Sequence, residues 1–257
     1  MIDTARPGEW QIVREHKTGY VQVFKVERTG VNGREVGFFK YASSAKQEKY
    51  IGPLAANELI ANRLGLLLHL PMARTELAHV NDCLGIVSVR HPGKGLQTWA
   101  DLKDGIRKEV DRHLAEPRRL DKTFVFDAWI CNIDRSGKNI MVYKRGERLD
   151  FYLIDHELSL LGAVKFENKP WDAPYWDNIR RYTRGYHPAL LPHATRYEPF
   201  EPHIAEIQRL HPAAIRSVID SCPNLVLSEQ DRALTERLLL LRQKKLAKII
   251  ARCVQEI

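Results

Sequence analysis

The chain has 257 residues, 40 of them lysine or arginine and 32 aspartate or glutamate, which gives a formal charge of +8 at neutral pH. Apolar residues make up 44% and charged residues 28%, proportions that are typical of globular proteins and exclude a disordered or collagen-like chain. No apolar run approaches the roughly 20 residues that a membrane-spanning helix needs. The basic excess permits nucleotide phosphates, nucleic acid or an acidic protein as a partner without choosing among them.

The amino terminus and the cysteines narrow the class of protein further. The first residues lack the basic-then-apolar layout of a secretory signal, so we expect a cytoplasmic protein without membrane association. The cysteines are too widely spaced for a zinc site or a disulfide scaffold, since none forms a C-x-x-C pair. They are Cys83, Cys131, Cys222 and Cys253. We expect reduced and mostly buried thiols.

The first part of the chain is predicted to form mainly β-strands. Short runs rich in β-branched and aromatic residues predict five strands. These cover residues 10–14, 20–27, 35–41, 73–78 and 84–89. Between the second and third strands, Asn32 and Gly33 are a strong signal for a tight hairpin, because both tolerate positive φ. A helical period over 53–68, which begins at a proline, predicts one helix within this region.

The second part is predicted to be mostly helical. The segment H-P-G-K-G at 91–95 is rich in residues that interrupt regular structure and indicates a boundary between lobes. We therefore expect one lobe over 1–90 and another over 91–257. Helices are predicted at 96–104, at 120–131 and from the S-E-Q-D capping pattern at 228 to about 254. A small hairpin is predicted at 140–154, and a loop rich in proline and aromatic residues at 169–202. This order of elements is that of a two-lobed kinase.

The segment N-I-D-R-S-G-K-N at 132–139, followed by L-I-D-H-E at 153–157, carries the strongest chemical signal. Phosphoryl transfer requires an acid to orient the attacking hydroxyl, oxygen ligands for Mg²⁺ and a cation on the nucleotide phosphates. Asp134 and Asn139 can face one point at the head of the hairpin, and Asp155 can join Asn139 on one metal ion. The alternative is an ordinary turn, because Asn, Asp, Ser and Gly commonly form turns.

Lys40, in F-F-K-Y near the end of the third predicted strand, is the candidate cation. A lysine between aromatic and apolar neighbours in a sheet is unfavourable unless its ammonium has a partner. Glu58 on the following helix is the obvious partner, and the pair would hold Lys40 over the nucleotide phosphates. The alternatives are an exposed lysine with a solvated glutamate, or Lys25 on the second strand as the cation.

These motifs resemble those of the HipA-like kinases, which belong to a wider group that includes the phosphatidylinositol 3- and 4-kinases. The resemblance rests on F-F-K-Y, N-E-L-I-A-N-R-L-G-L-L-L-H-L-P, the loop at 132–139 and L-I-D-H-E, and it spans about residues 35–160. It implies an α+β, bilobed protein-kinase-like fold. The amino-terminal lobe would be an antiparallel sheet with one helix, and the carboxy-terminal lobe would be mostly helical.

The resemblance also implies roles for five residues. Asp134 would be the catalytic aspartate, while Asn139 and Asp155 would bind Mg²⁺. Lys40 would bind the phosphates of ATP, with Glu58 as its ion-pair partner. An antitoxin-like protein partner is a further possibility that the family raises.

Two departures from the family bear on the substrate. The family often has histidine two residues after the catalytic aspartate, where this chain has Ser136. Arg135 is instead similar to the N-x-D-R of the lipid-kinase branch, which leaves the acceptor open without affecting the nucleotide chemistry. From the length of the chain we expect the compact version of the family, without the additional amino-terminal subdomain of full-length HipA toxins.

The remaining nucleotide contacts carry weaker signals. The segment E-H-K-T-G between the first two strands could contact phosphates through Lys17, Thr18 and the backbone of Gly19, although an ordinary hairpin is equally compatible. The adenine is expected to meet backbone groups of a hinge that includes Val87 and Val89.

Three other features are ambiguous. Aromatic residues and arginines over 171–197 could stack on nucleic-acid bases. Because nearby acidic residues balance the charge of the arginines, we favour a loop held in place by aromatic packing. A substrate-docking segment is the functional alternative. The basic run at 242–248 is interpreted as a solvated helix face, with a nucleic-acid patch as the alternative. Glu157 could also approach the metal, but alternation of side chains argues against it unless the strand continues past Asp155.

We therefore predict an ATP- and Mg²⁺-dependent kinase that transfers the γ-phosphoryl group to a hydroxyl. A protein serine or threonine is the first choice of acceptor, by resemblance alone, and a small-molecule or lipid hydroxyl is the first alternative. A pseudokinase is a rival that the five intact site residues argue against. A nucleic-acid-binding module is a further rival, supported only by the net charge.

Overall fold

The structure, a computed structural model, describes most of the chain. The described residues are 8–18, 21–30, 33–42, 49, 51–183 and 196–255. Within those ranges, none of the helices combines the length and the apolar character needed to span a bilayer.

Five antiparallel strands form the larger sheet in the spatial order β1-β2-β3-β5-β4. They are β1 (Gln11–Thr18), β2 (Val21–Gly30), β3 (Gly33–Tyr41), β4 (Arg74–Val80) and β5 (Cys83–Val89). All five predicted strands are confirmed. Gly30 pairs with Gly33 across the predicted hairpin, and the φ of 105° at Gly33 is one that favours glycine. Asn32 itself lies outside the described residues.

Helix α1 (Leu54–Leu67) confirms the predicted helix and lies in the core. Its buried side chains belong to one apolar cluster with those of the helices in the second half of the chain. Gly65, which interrupts the apolar pattern, permits a close approach, because a Cβ there would lie 2.5 Å from Met72 Sδ. The segment that leads into β4 therefore packs directly on α1.

A second, three-stranded antiparallel sheet consists of β6 (Gln97–Thr98), β7 (Ile140–Arg145) and β8 (Arg148–Leu153). The predicted hairpin is β7–β8, but the helix predicted over 96–104 is wrong. Residues 97–98 pair with β7, and a 3₁₀ turn follows at Trp99–Asp101. The local reason is that the backbone and hydroxyl of Thr98 donate to Asp101 Oδ2, at 3.2 and 2.6 Å, which stabilises a turn.

Helices form most of the remainder. They are α2 (Asp104–Lys108), α3 (Val110–His113), α4 (Arg118–Trp129), α5 (Leu161–Glu167), α6 (Ile179–Tyr182), α7 (Glu201–Gln208), α8 (Pro212–Asp220) and α9 (Glu229–Gln255). Helices α4 and α9 confirm two predictions. The Ser228 Oγ accepts the backbone N–H of Asp231 at 3.1 Å, as the capping pattern predicts. The four cysteines are free thiols and three of them are buried.

The described part of the aromatic segment packs into the helical core. Trp176 and Tyr182 are buried, and Arg242 of α9 donates to the carbonyl of Trp176 and to the Tyr182 hydroxyl, both at 2.9 Å. Up to residue 183 this confirms a loop pinned by aromatic packing; residues 184–195 lie outside the described residues. The solvated face predicted at 242–248 is wrong for Arg242, because helical period puts it on the buried face with Leu238 and Leu246.

Candidate active site

Strand β3, helix α1 and the segment after β8 bring four charged side chains together. The Lys40 Nζ lies 2.7 Å from Asp155 Oδ1 and 3.0 Å from Glu157 Oε2. The same ammonium lies 3.3 Å from Glu58 Oε1. The predicted contact between Lys40 and Glu58 is therefore present, and Lys40 has two further carboxylate partners.

Lys25, the alternative cation, has a different environment. Its ammonium pairs with Glu27 on the same strand at 3.2 Å, and 34% of its side chain is exposed. The side chain of Lys40 is 10% exposed. The buried position with several acidic partners is therefore that of Lys40.

The site surrounds one ammonium with three carboxylates, and this arrangement separates their pKa values. Burial opposes the charged form of Lys40, but Asp155, Glu157 and Glu58 outweigh burial and raise the Lys40 pKa well above its usual value. Burial alone would raise the pKa of Glu58, but Lys40 and His156 lower it to about 2. For Glu157, burial and the charge of Asp155 raise the pKa to about 8.

The loop from Asn132 to Asn139 folds back on itself before β7. The Asn132 Oδ1 accepts the backbone N–H of Asp134 at 3.0 Å. The Asn139 Nδ2 donates to the carbonyl of Asp134 at 2.7 Å and to its Oδ2 at 3.2 Å. Asp134 and Asn139 thus lie side by side. Burial, with the charge of Asp155, raises the pKa of the Asp134 carboxyl.

Arg135 supports this loop from a buried position and is not exposed at the surface. It is 1% exposed, and its Nε lies 2.9 Å from Asp127 Oδ2 on α4. Its Nη1 donates to the carbonyls of Asn139 and Ile154, each at 2.9 Å. Arg135 therefore joins the start of β7 to the end of β8 from a buried position.

The backbone reverses direction directly after β8. Asp155 has a φ of 62°, a left-handed conformation that is uncommon outside glycine. Side-chain alternation therefore stops at the strand end, and Asp155 and Glu157 both reach Lys40. Glu157 therefore lies beside Asp155 at Lys40 although β8 has ended, a position that simple side-chain alternation does not predict. Gly162 leaves room for the turn, because a Cβ there would lie 2.0 Å from the Glu157 carbonyl oxygen.

The residues present fit a Mg²⁺ ion. Carboxylate oxygens of Glu58, Asp155 and Glu157 lie within 4.8 Å of one another. Asn139 uses its Nδ2 for Asp134, which leaves its Oδ1 as the atom for a cation, and the Ile154 N–H donates to the Asn139 carbonyl at 3.2 Å. Carboxylate and amide oxygens are the ligands that Mg²⁺ prefers, together with phosphate and water.

The weaker nucleotide-binding candidates lie at the end of β1 and on β5. Lys17 and Thr18 are the last residues of β1, and Gly19 lies outside the described residues. The side chains of Val87 and Val89 pack in a separate cluster with Trp10 and Phe39. Lys40 pairs across the sheet with Ile86, the neighbour of Val87, so the valine side chains lie on the opposite face. The backbone of both valines pairs with β3 on one side and with β4 on the other.

Sequence reasoning missed the buried residues that support the site. They are Asn57, Asp127, Asn132, Arg135, His156 and Gly162. Asn132, two residues before Asp134, has the pattern of a side chain that accepts a backbone bond in a turn, so it could have been found. The contact of Asp127 with Arg135 joins a helix to a loop and leaves no local signal.

Comparisons with known proteins agree with this architecture at the level of fold. Neither a protein-family model nor a curated protein matches the sequence. The structure of the proinflammatory kinase CtkA from Helicobacter pylori is similar to 97% of this chain and 96% of its own, with a TM-score of 0.66 and 16% identity.

A chain from the complex of HipA, HipB and operator DNA of a Shewanella oneidensis toxin–antitoxin system is also similar. The match covers 100% of this chain and 70% of that chain, with a TM-score of 0.52 and 13% identity. Likeness at such low identity establishes architecture alone. The chain therefore has a protein-kinase-like α+β fold, with an amino-terminal antiparallel sheet and a mostly helical carboxy-terminal part, as its sequence predicts.

Proposed function

We propose that this protein is an ATP- and Mg²⁺-dependent kinase that transfers the γ-phosphoryl group to a hydroxyl. The observation that carries the proposal is the convergence, in a protein-kinase-like fold, of a buried lysine–glutamate pair with Asp155 and the Asp134–Asn139 pair. Phosphoryl transfer relies on positioning and on electrostatic stabilisation, and these groups supply both.

In this proposal each side chain has a separate task. When the nucleotide binds, Lys40 loses its contact with Asp155 and binds the phosphates, while Glu58 holds the Lys40 ammonium in place. Asp155 and Asn139 hold Mg²⁺, which supplies the positive charge that offsets charge on the transferred group. Asp134 orients the acceptor hydroxyl and takes its proton. Its raised pKa makes it a better proton acceptor than an ordinary aspartate.

The periphery of the site follows from the sequence resemblance. Lys17, Thr18 and the backbone of Gly19 are proposed to contact the phosphates, and backbone groups of Val87 and Val89 the adenine. A protein serine or threonine is the proposed acceptor. Residues 1–90 and 91–257 are proposed as the two lobes, and an antitoxin-like partner stays a prediction.

The decisive variant is Asp155→Asn, which keeps the size of the side chain and removes its charge. We expect the loss of metal-dependent ATP binding, measured by calorimetry with Mg·ATP, at unchanged thermal stability. Asp82→Asn is a matched control, because Asp82 has the same φ of 62° and is exposed in the turn before β5. Unchanged affinity in Asp155→Asn contradicts the metal site.

Turnover is tested on the intact protein. After incubation with Mg·ATP, alone and with candidate protein and small-molecule acceptors, mass spectrometry should detect transfer of a phosphoryl group in the wild type and none in Asp155→Asn. A wild type that binds Mg·ATP tightly yet transfers nothing to any acceptor or to water would instead support a pseudokinase.

A further inference from the structure

A chain of buried polar groups joins the loop of Asp134 to helix α1. The Arg135 Nη2 lies 2.7 Å from His156 Nε2, and the His156 Nδ1 lies 3.7 Å from Glu58 Oε2. The other oxygen of Glu58 faces Lys40. Arg135, His156 and Glu58 are 1%, 2% and 3% exposed, so water does not compete for these contacts.

Chemistry sets the direction of this chain. A guanidinium only donates hydrogen bonds, so the His156 Nε2 must accept and the ring proton lies on Nδ1, on the side of Glu58. At the far end, Asp127 anchors Arg135 from α4. Arg135 thus donates both to Asp127 on α4 and to His156, and the Nδ1–H of His156 faces Glu58 on α1.

Glu58 needs such support because it is the most distant of the three partners of Lys40. The ammonium lies 2.7 Å from Asp155 and 3.0 Å from Glu157, but 3.3 Å from Glu58. An unsupported Glu58 would therefore lose the ammonium to the other two carboxylates. The contact of Asn57 with the Glu157 carbonyl, at 3.2 Å, holds the backbone of the same segment but does not reach the Glu58 carboxylate.

We propose that His156 and Arg135 are positioning residues that hold Glu58 Oε2 so that Oε1 is presented to Lys40. The Lys40–Glu58 pair is then assembled only when the Asp134 loop is in place, which couples the nucleotide half of the site to the transfer half. The expected effect on ATP affinity rests on the proposed kinase activity, since it concerns the binding of ATP phosphates by Lys40.

Three substitutions of His156 test the roles of its two ring nitrogens separately. His156→Asn keeps a donor near the Nδ1 position, His156→Gln keeps an acceptor near the Nε2 position, and His156→Phe keeps only the ring. We expect Mg·ATP affinity to fall about tenfold in the Gln and Phe variants, because the close polar contact with the Glu58 carboxylate is lost, and to recover largely in the Asn variant. His203→Phe on α7 is the control for the loss of a half-buried imidazole.

A double-mutant cycle tests whether the effect passes through Glu58. His156→Phe should weaken Mg·ATP binding in the wild-type background and have little further effect in Glu58→Gln. Losses that simply add, or equal affinities for the Asn, Gln and Phe variants, overturn the proposal.

A second cycle needs no nucleotide. Glu58→Gln and His156→Phe should be coupled in their effects on the free energy of unfolding, measured in urea, because each alters the same contact between His156 Nδ1 and Glu58 Oε2. Independent effects overturn the proposal. If the wild type fails to bind Mg·ATP, the kinase proposal fails, and with it the expected effect of His156 on ATP binding by Lys40. Coupling between the two substitutions in urea unfolding would still support the positioning of Glu58.

Discussion

Two buried cations of this molecule, Lys40 and Arg242, are satisfied in different ways. Lys40 meets three carboxylates, which exceed the charge of its own ammonium. Arg242, 2% exposed on α9, meets only neutral acceptors among its described hydrogen bonds. Those acceptors are the carbonyls of Ala128, Trp129 and Trp176 and the hydroxyl of Tyr182.

The difference separates a functional cluster from a structural one. Neutral acceptors meet every nitrogen of the Arg242 guanidinium and join three segments, α4, α9 and the aromatic loop, which favours one packed arrangement. The carboxylates around Lys40 leave negative charge that a second cation can offset. A buried surplus of charge destabilises a fold, and clusters of this kind are concentrated at functional sites, which favours the surroundings of Lys40 as the candidate active site.

The largest expected effect is on turnover and belongs to the active-site cluster. In Asp134→Ala we expect kcat to fall by ~10²–10⁴, the range for losing a positioned acid or base. Mg·ATP affinity and melting temperature should change little, because Lys40, Asn139 and Asp155 remain. Wild-type turnover in the folded variant, or a loss of stability at unchanged specific activity, would make Asp134 a turn residue and remove the contrast between the two clusters.

The reverse pattern is expected for Arg242→Met. Its loss leaves several buried carbonyl oxygens without a donor, so the free energy of unfolding should fall by about 3 kcal/mol or more. Turnover per folded molecule should not change. Lys248→Met on the same helix is the control, since Lys248 is exposed. Urea unfolding together with activity on one preparation measures both, and an equally stable Arg242→Met protein would contradict a structural role for this cluster.

The charge surplus also predicts a pH dependence of stability. The pKa of Glu157 is raised from the usual 4.5 to about 8, so the folded protein binds a proton there that the unfolded chain has released. This contribution is complete below pH 4.5 and is lost as the pH rises through 8. In metal-free buffer the wild type should therefore lose up to a few kcal/mol of stability between pH 5 and 8 through this group.

Glu157→Gln removes the titrating group and should flatten the dependence of unfolding free energy on pH over that range. Glu147→Gln, in the exposed turn between β7 and β8, serves as the control. Parallel pH curves for the wild type and Glu157→Gln would mean that the pKa of Glu157 is not raised in the folded protein and that this carboxylate stays ionised over the whole range.

The smallest expected effect concerns ion pairs outside both clusters. Arg34 pairs with Glu27 between β3 and β2, but 71% of its side chain is exposed. Water screens such a pair, so Arg34→Ala should change the free energy of unfolding by less than ~1 kcal/mol. A loss of unfolding free energy as large as that of Arg242→Met would show that the exposure of a charged side chain does not predict how much its contacts stabilise this protein.

Local pattern was enough wherever the structure depends on neighbours along the chain. The strands, α1, α4, the β7–β8 hairpin and the cap of α9 follow from periodicity, turn residues and capping residues. The contact of Lys40 with Glu58 could also be predicted, since a buried lysine needs a partner and the next helix offers one. The helix predicted over 96–104 failed because pairing of Gln97 and Thr98 with a distant strand overrode helical propensity.

The sequence by itself therefore predicted the strands of the larger sheet, the β7–β8 hairpin, three of the helices, the fold class and which polar residues were candidates for chemistry. Only the tertiary structure decided the neighbours of those residues. The left-handed backbone at Asp155 returned Glu157 to Lys40, and the burial of Arg135 and Arg242 was set by elements far away in the chain. The physical reason is that burial and charge balance are sums over contacts between distant segments, which no local window of sequence contains.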